Sequence, residues 1–186
     1  MAEWGGDVVR LQLVVLRCQA GDERAFAQLF EWFNGRTERY LRNLVGDAAE
    51  DVQQEVWLAV YRGLRSLTNA RAFRTWLFQT TRHRAIDYLR KQKRERELLT
   101  EVSSEATEVS EAAEENSTLD LSNFDAVLSE LPTAQREALL LRYRDDLSYN
   151  EIALIVGVSV GTIRSRLHHA KRRMSELMAI HAREET

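Results

Sequence analysis

Between Val160 and Arg173 the chain carries five arginines and lysines, two histidines and no acid. Read as a helix, Ile163, Leu167, Ala170 and Met174 fall at i, i+4, i+7 and i+11, an apolar stripe able to bury against an element before it. The opposite side then presents Arg164, Ser165, His168, His169 and Arg172, with Lys171 and Arg173 on its flanks. Such a helix fits the major groove of B-DNA, where an arginine can give guanine two parallel hydrogen bonds. Residues near the helix start should reach base edges, whereas Lys171, Arg172 and Arg173 sit where phosphate contact is expected. The plainer reading is a solvated basic face on an ordinary helix.

Two further patches carry charge. Arg82 to Arg96 holds seven basic residues against Asp87 and Glu95, with Phe73, Trp76, Phe78 and Tyr88 close by in sequence. Basic groups can track the phosphates of unpaired nucleic acid while rings hold its bases. Alternatively, Phe73 and Trp76 are core and the basic stretch is a solvated helix end. Asp47, Glu50, Asp51, Gln54 and Glu55 open another helix, where acids complement the helix dipole or form a docking face for a basic partner. Spacing alone leaves both open.

The elements that would hold these patches are helical throughout. Asp7 is a good N-cap for a first helix ending near Ala20, with Gly21 as its stop. A second follows Asp22, with Phe26, Leu29, Phe30, Phe33, Tyr40, Leu41 and Leu44 at near-helical spacing, and Gly46 ends it. A third starts at Asp47 with the stripe Val52, Val56, Ala59, Val60 and Leu64. A fourth spans about Ala70 to Lys91, with Phe73, Trp76, Leu77, Ala85 and Leu89 facing inward. Glu97 to Thr118 then has seven glutamates and no lysine or arginine, a composition that reads as a flexible linker, or else as an isolated Glu- and Ala-rich helix. Order resumes with Leu121, Phe124, Val127, Leu128 and Leu131, a break at Pro132, and a helix from Thr133 to Tyr143. Ser148 and Glu151 make a capping box, Gly157 closes the short helix after it, and the last helix runs to about Ile180. That succession has the grammar of a helix-turn-helix.

Composition narrows the functional classes. The formal net charge is −3, so nucleic-acid binding has to be argued from where charge lies and not from its total. Cys18 is the only cysteine, which excludes an intrachain disulfide and fits a reducing cytoplasm. The apolar run from Val8 to Leu16 is interrupted by Arg10 and Gln12, too short and polar to insert in a membrane. No Gly-rich phosphate loop, Ser/His/Asp set or metal-ligand spacing appears, so the expectation is a protein that is not an enzyme and takes no cofactor and no metal.

Several stretches resemble a known family. Gly21-Asp22-Glu23-Arg24-Ala25-Phe26, Asp47 to Trp57, Phe73-Arg74-Thr75-Trp76-Leu77 and Ala85-Ile86-Asp87-Tyr88-Leu89-Arg90 resemble sigma region 2. Leu147 to Ala153 with Gly161 to Leu167 resembles sigma region 4. Together they resemble the extracytoplasmic-function (ECF) RNA polymerase sigma factors. The resemblance implies an all-α fold with a four-helix region 2 domain at 7–96, an acidic linker at 97–120 and a helix-turn-helix region 4 domain at 121–183. It implies that Asp47, Glu50, Asp51, Gln54 and Glu55 dock on the β′ clamp helices of core RNA polymerase, with the β flap as a second polymerase contact. It implies that Arg74, Trp76, Arg82, His83, Arg84, Asp87, Arg90 and Lys91 lie in the part that captures the −10 element of promoter DNA. Thr162, Arg164, Ser165, His168, His169, Lys171 and Arg172 match the part that reads the −35 element. An anti-sigma factor is the further implied partner. Where the family usually has an apolar pair and then Arg-Asn, this chain has Thr80-Thr81-Arg82-His83, so the captured base does not transfer. The rival readings are a stand-alone helix-turn-helix regulator and an RNA-binding antiterminator.

Overall fold

The computed structural model describes residues 8–102 and 127–184, with side chains at 8–98 and 127–178, and every regular element among them is a helix. Asp7, Leu121, Phe124 and the linker from 103 to 120 lie outside the described residues. The chain divides into two compact units, one built from the chain up to Lys93, the other from most of the chain beyond Lys93.

In the first unit, α1 (Val8–Gln19) buries Leu11, Val14, Val15 and Cys18. Asp22 caps α2 (Glu23–Val45): its Oδ1 accepts the amides of Arg24 at 3.0 Å and Ala25 at 3.1 Å. Ala25, Leu29, Phe33 and Leu41 of α2 enter the core, whereas Phe30 remains 41% exposed. Gly46, at φ +59, turns the chain, as only glycine does without strain. Asp47 does not start the next helix: Gly46–Ala48 is a 3-10 turn and α3 spans Ala49–Gly63. The α3 stripe is Val52, Val56 and Val60, widened by Gln53 and Trp57, while Ala59 is only half-buried.

A 3-10 turn at Ala70–Ala72 leads into α4 (Phe73–Val102), which runs beyond the expected end at Lys91 and into the first residues assigned to the linker. Phe73, Leu77, Thr81 and Ala85 of α4 are fully buried. Phe73 meets Phe33 edge-on at 5.5 Å, and Phe78 meets Tyr40 at 5.6 Å. Leu89, expected inward, is 40% exposed because α4 leaves the core beyond Ala85 and Tyr88.

In the second unit Val127, Leu128 and Leu131 are buried ahead of Pro132. The helix expected over Thr133–Tyr143 is split: α5 (Thr133–Leu139) passes into a π-turn at Leu140–Arg144. There the Asp145 amide reaches the Leu140 carbonyl at 3.2 Å, five residues back, and Asp146 is the next residue, at φ +52. α6 (Tyr149–Val156) and α7 (Val160–Glu184) follow. Ile163, Leu167, Ala170 and Leu177 are the buried stripe of α7, and Met174 is half-buried beside it.

Candidate nucleic-acid interface

The helix-turn-helix is held by local chemistry. Ser148 Oγ accepts the Glu151 amide at 3.3 Å while Glu151 Oε2 accepts the Ser148 amide at 2.8 Å, a complete capping box on α6. Gly157, in the left-handed region at φ +76, ends α6, and Ser159 starts α7 by accepting the Thr162 amide at 3.1 Å. The Ser159 hydroxyl also lies 2.9 Å from Thr162 Oγ1, so Thr162 belongs to the helix start and is half-buried. Arg164, Ser165, His168, His169 and Arg172 are all exposed on the side away from Ile163, Leu167 and Ala170. The two histidine rings stand 5.6 Å apart. Lower on the helix, Arg172 and Arg173 lie 3.5 Å and 3.6 Å from the two Glu176 carboxylate oxygens. Lys171 Nζ sits 5.1 Å from the Tyr143 ring, and hydrogen bonding to the Tyr143 side chain raises its pKa.

The other basic stretch surrounds an open cleft in the first unit, about 650 Å³ in volume. Trp76, Arg82, His83, Arg84, Asp87 and Arg90 line it. Arg74 is half-buried and Lys91 exposed, and neither lines the cleft. Ala59 of α3 and Thr80 and Ile86 of α4 complete the wall, and of these Ala59 was expected only in the apolar stripe of its own helix. Trp76 proves to be both core-packed and cleft-lining, since its half-buried indole rests against the core while facing the cleft. Arg90 lies 4.0 Å from Asp87, an exposed pair of little energetic weight. Beneath the cleft, Thr80 and Thr81 donate their hydroxyls to the Trp76 and Leu77 carbonyls at 2.8 Å and 2.9 Å. That back-bonding lets polar Thr81 occupy a fully buried site.

The acidic patch is exposed at every position: Asp47 on its 3-10 turn, and Glu50, Asp51, Gln54 and Glu55 on α3. Next to it runs a groove of about 740 Å³ between α2 and α3, whose rim carries exposed Phe30, Leu58 and Tyr61. Sequence reasoning missed these three. The only signal was that Leu58 and Tyr61 fall off the buried stripe. The groove wall is set by a polar node. Asn34 Oδ1 accepts from Gln53 Nε2 at 2.6 Å and from Trp57 Nε1 at 3.0 Å, and Gln53 Nε2 also reaches Thr37 Oγ1 at 3.1 Å. Phe26 and Phe30 flank the Trp57 indole at 6.1 Å and 4.9 Å.

A fourth feature lies in the second unit. Leu128, Leu139, Leu140, Tyr143, Lys171 and Met174 line an apolar groove of about 480 Å³. Among the described residues no three His, Cys, Asp or Glu gather as metal ligands, and no described helix is long and apolar enough to cross a membrane.

Comparison with known proteins covers both units. Residues 29–95 match Sigma-70 region 2, and residues 121–174 match Sigma-70, region 4. The chain is 34% identical over 175 residues to the ECF RNA polymerase sigma-E factor of Escherichia coli (strain K12), covering 86% of this chain and 90% of that protein. It is 31% identical over 183 residues to the ECF RNA polymerase sigma factor BldN of Streptomyces coelicolor, covering 95% and 69% of the two chains. A similar solved structure is the sigma factor RpoE from Bartonella quintana in complex with the anti-sigma factor NepR. There the TM-score is 0.61 at 28% identity, over 83% of this chain and 97% of that one. Matches to both regions in order, carried by relatives aligned along most of their length, make the chain a member of the ECF family of RNA polymerase sigma factors, regulators that direct promoter-specific transcription.

Proposed function

We propose that the two basic interfaces divide promoter recognition between them. The α7 face of Arg164, Ser165, His168 and His169 reads the −35 duplex from the major groove, with Thr162 at the helix start and Arg172 and Lys171 nearer the phosphates. The cleft of Trp76, Arg82, His83, Arg84, Asp87 and Arg90 takes the unpaired −10 strand, with Arg74 and Lys91 beyond its edges. The observation that carries this reading is that each basic face is the exposed side of a helix whose other side is core, one in each unit. Region 2 then occupies residues 7–96 and region 4 residues 121–183, with the acidic segment between.

The remaining surfaces fit polymerase. Asp47, Glu50, Asp51, Gln54 and Glu55 offer negative charge beside the exposed Phe30, Leu58 and Tyr61, a complement to the basic and apolar β′ clamp helices. The apolar groove beneath Tyr143 and Lys171 suits an apolar helix tip such as that of the β flap. These same surfaces are what an anti-sigma factor would have to cover. The protein works in the cytoplasm, contributes no catalysis and takes no cofactor. Unpaired bases held by region 2 shift the duplex towards the open state within a clamp supplied by the polymerase.

The test is run-off transcription with core polymerase on a promoter library. Arg164→Ala should relax −35 preference by about 2 kcal/mol of discrimination, the worth of one good bidentate base contact. His83→Ala should change −10 preference or opening. Unchanged promoter profiles for both variants would remove the site assignment. Tight, specific duplex binding without polymerase would instead favour the stand-alone regulator.

A further inference from the structure

Among the described glycines of the first unit, Gly35 and Gly63 have no positive φ, and only at Gly63 would a Cβ come within 3.0 Å of a neighbour. Gly63, the last residue of α3, has φ −91 and ψ −18, a conformation open to any residue. At such a position glycine is less favourable than alanine, because it loses more freedom on folding. What the missing side chain makes room for is the Trp76 indole. A Cβ at Gly63 would stand 2.9 Å from Trp76 Cζ2 and 3.4 Å from Cη2, inside the ~3.5–4.0 Å at which carbon atoms rest. Ala59, one turn earlier on the same side of α3, shares the cleft wall with Trp76. The two small residues let the ring lie back against the helix.

The ring is held on one side by the core, where fully buried Phe73 packs beside it with centroids 6.2 Å apart, and its open side is the cleft. A side chain at position 63 would therefore turn the indole outward, into the cleft lined by His83 and Arg82. We propose that Gly63 is a positioning residue for base capture: having no Cβ, it seats the Trp76 indole against α3 and keeps the cleft beside His83 open to an unstacked base. This rests on the reading that the cleft takes the −10 strand.

The experiment uses holoenzyme assembled from core polymerase and the full chain, with a fluorescent single-stranded oligonucleotide carrying the −10 sequence recovered from the promoter library. Gly63→Ala should weaken strand binding about tenfold, the scale of one lost stacking contact, while polymerase affinity and −35 duplex binding stay as in the wild type. The smaller ring of Trp76→Phe relieves the contact, so Gly63→Ala should cause no further loss in that background, a non-additivity that an unrelated structural defect would not produce. Wild-type strand binding by Gly63→Ala, an equal loss in both backgrounds, or a chain that no longer binds polymerase would each overturn the proposal. His83→Ala separates the two levels. If it weakens strand binding and Gly63→Ala does not, only the role of Gly63 falls. If neither variant changes strand binding, the cleft reading falls and takes the role of Gly63 with it.

Discussion

Asn34 ties α2 to α3 through its side-chain oxygen, which accepts from both Gln53 and Trp57, and through its backbone carbonyl, which accepts from Gln53 at 2.8 Å. Asn34→Ala leaves the largely buried Trp57 indole N–H without its acceptor, while Gln53 keeps the backbone carbonyl of residue 34 and Thr37, and should cost about 2 kcal/mol of unfolding free energy by denaturant titration. A loss indistinguishable from zero would mean that water replaces the oxygen. Asp22 offers a pH-dependent counterpart. The Ala25 amide, and after it the Arg17 guanidinium at 2.6 Å, hold its carboxyl below the usual carboxylate range. Its folded pKa is the depressed one, so the stabilisation is complete above the unfolded value and is lost as pH falls through the folded value. Asp22→Asn keeps a capping oxygen without the charge, so the acid side of its stability profile should be shallower than that of the wild type. An identical acid limb would place the acid sensitivity elsewhere. Neither Asn34 nor Gln53 was legible as a structural residue, because a polar side chain beside an apolar stripe looks the same whether it faces water or a partner across the core. The exposure of Arg164 was legible, since its place opposite an apolar stripe already implied it, whereas His83, also exposed, was singled out by the family resemblance alone.

Helix ends were readable where side chains or glycines set them. Ser148, Glu151 and Gly157 specify α6 by themselves, so Ser148→Ala should cost about 1 kcal/mol, measured by thermal or chemical unfolding of the full chain. No change in stability would mean that burial of Ile152 holds the turn without its cap. The ends that sequence misplaced depend on tertiary contacts. α3 begins after a 3-10 turn and not at Asp47, and Leu140–Arg144 widens into a π-turn, although nothing in the run of leucines distinguishes that segment from ordinary α-helix. The end of α4 was set too early for a different reason. Basic residues near Lys91 looked like a C-terminal turn, yet straight-chain residues from Gln92 to Glu97 have good helix propensity and continue the element to Val102.

For the whole molecule, the proposed division of promoter contact between two units with separate basic faces would leave each alone with few phosphates to contact. Binding to promoter duplex without polymerase should be weak and fall steeply between low and physiological salt, and core polymerase should make it both tighter and sequence-specific by holding the two contacts together. Equal affinity with and without polymerase, measured by fluorescence anisotropy, would contradict this. Fold class was legible from periodicity and from the scarcity of breakers, and the exposed basic face of α7 from its one-sided charge. The apolar grooves were not. Phe30, Leu58 and Tyr61 lie on two helices, and the Tyr143 groove draws on three parts of the second unit, so only the folded chain brings either set together.

Cys18 packs into the core face of α1, where burial above all pushes its thiol up to about 11. At neutral pH almost none of it is thiolate, the form that alkylating reagents attack. Cys18 should thus react with maleimide dyes far more slowly than an exposed thiol, and a cysteine introduced at an exposed position such as Glu31 or Ser175 should take nearly all the label without first removing the natural one. A donor at one position and an acceptor at the other would turn the chain into its own ruler, reporting how far apart its halves are held before and after polymerase takes them up.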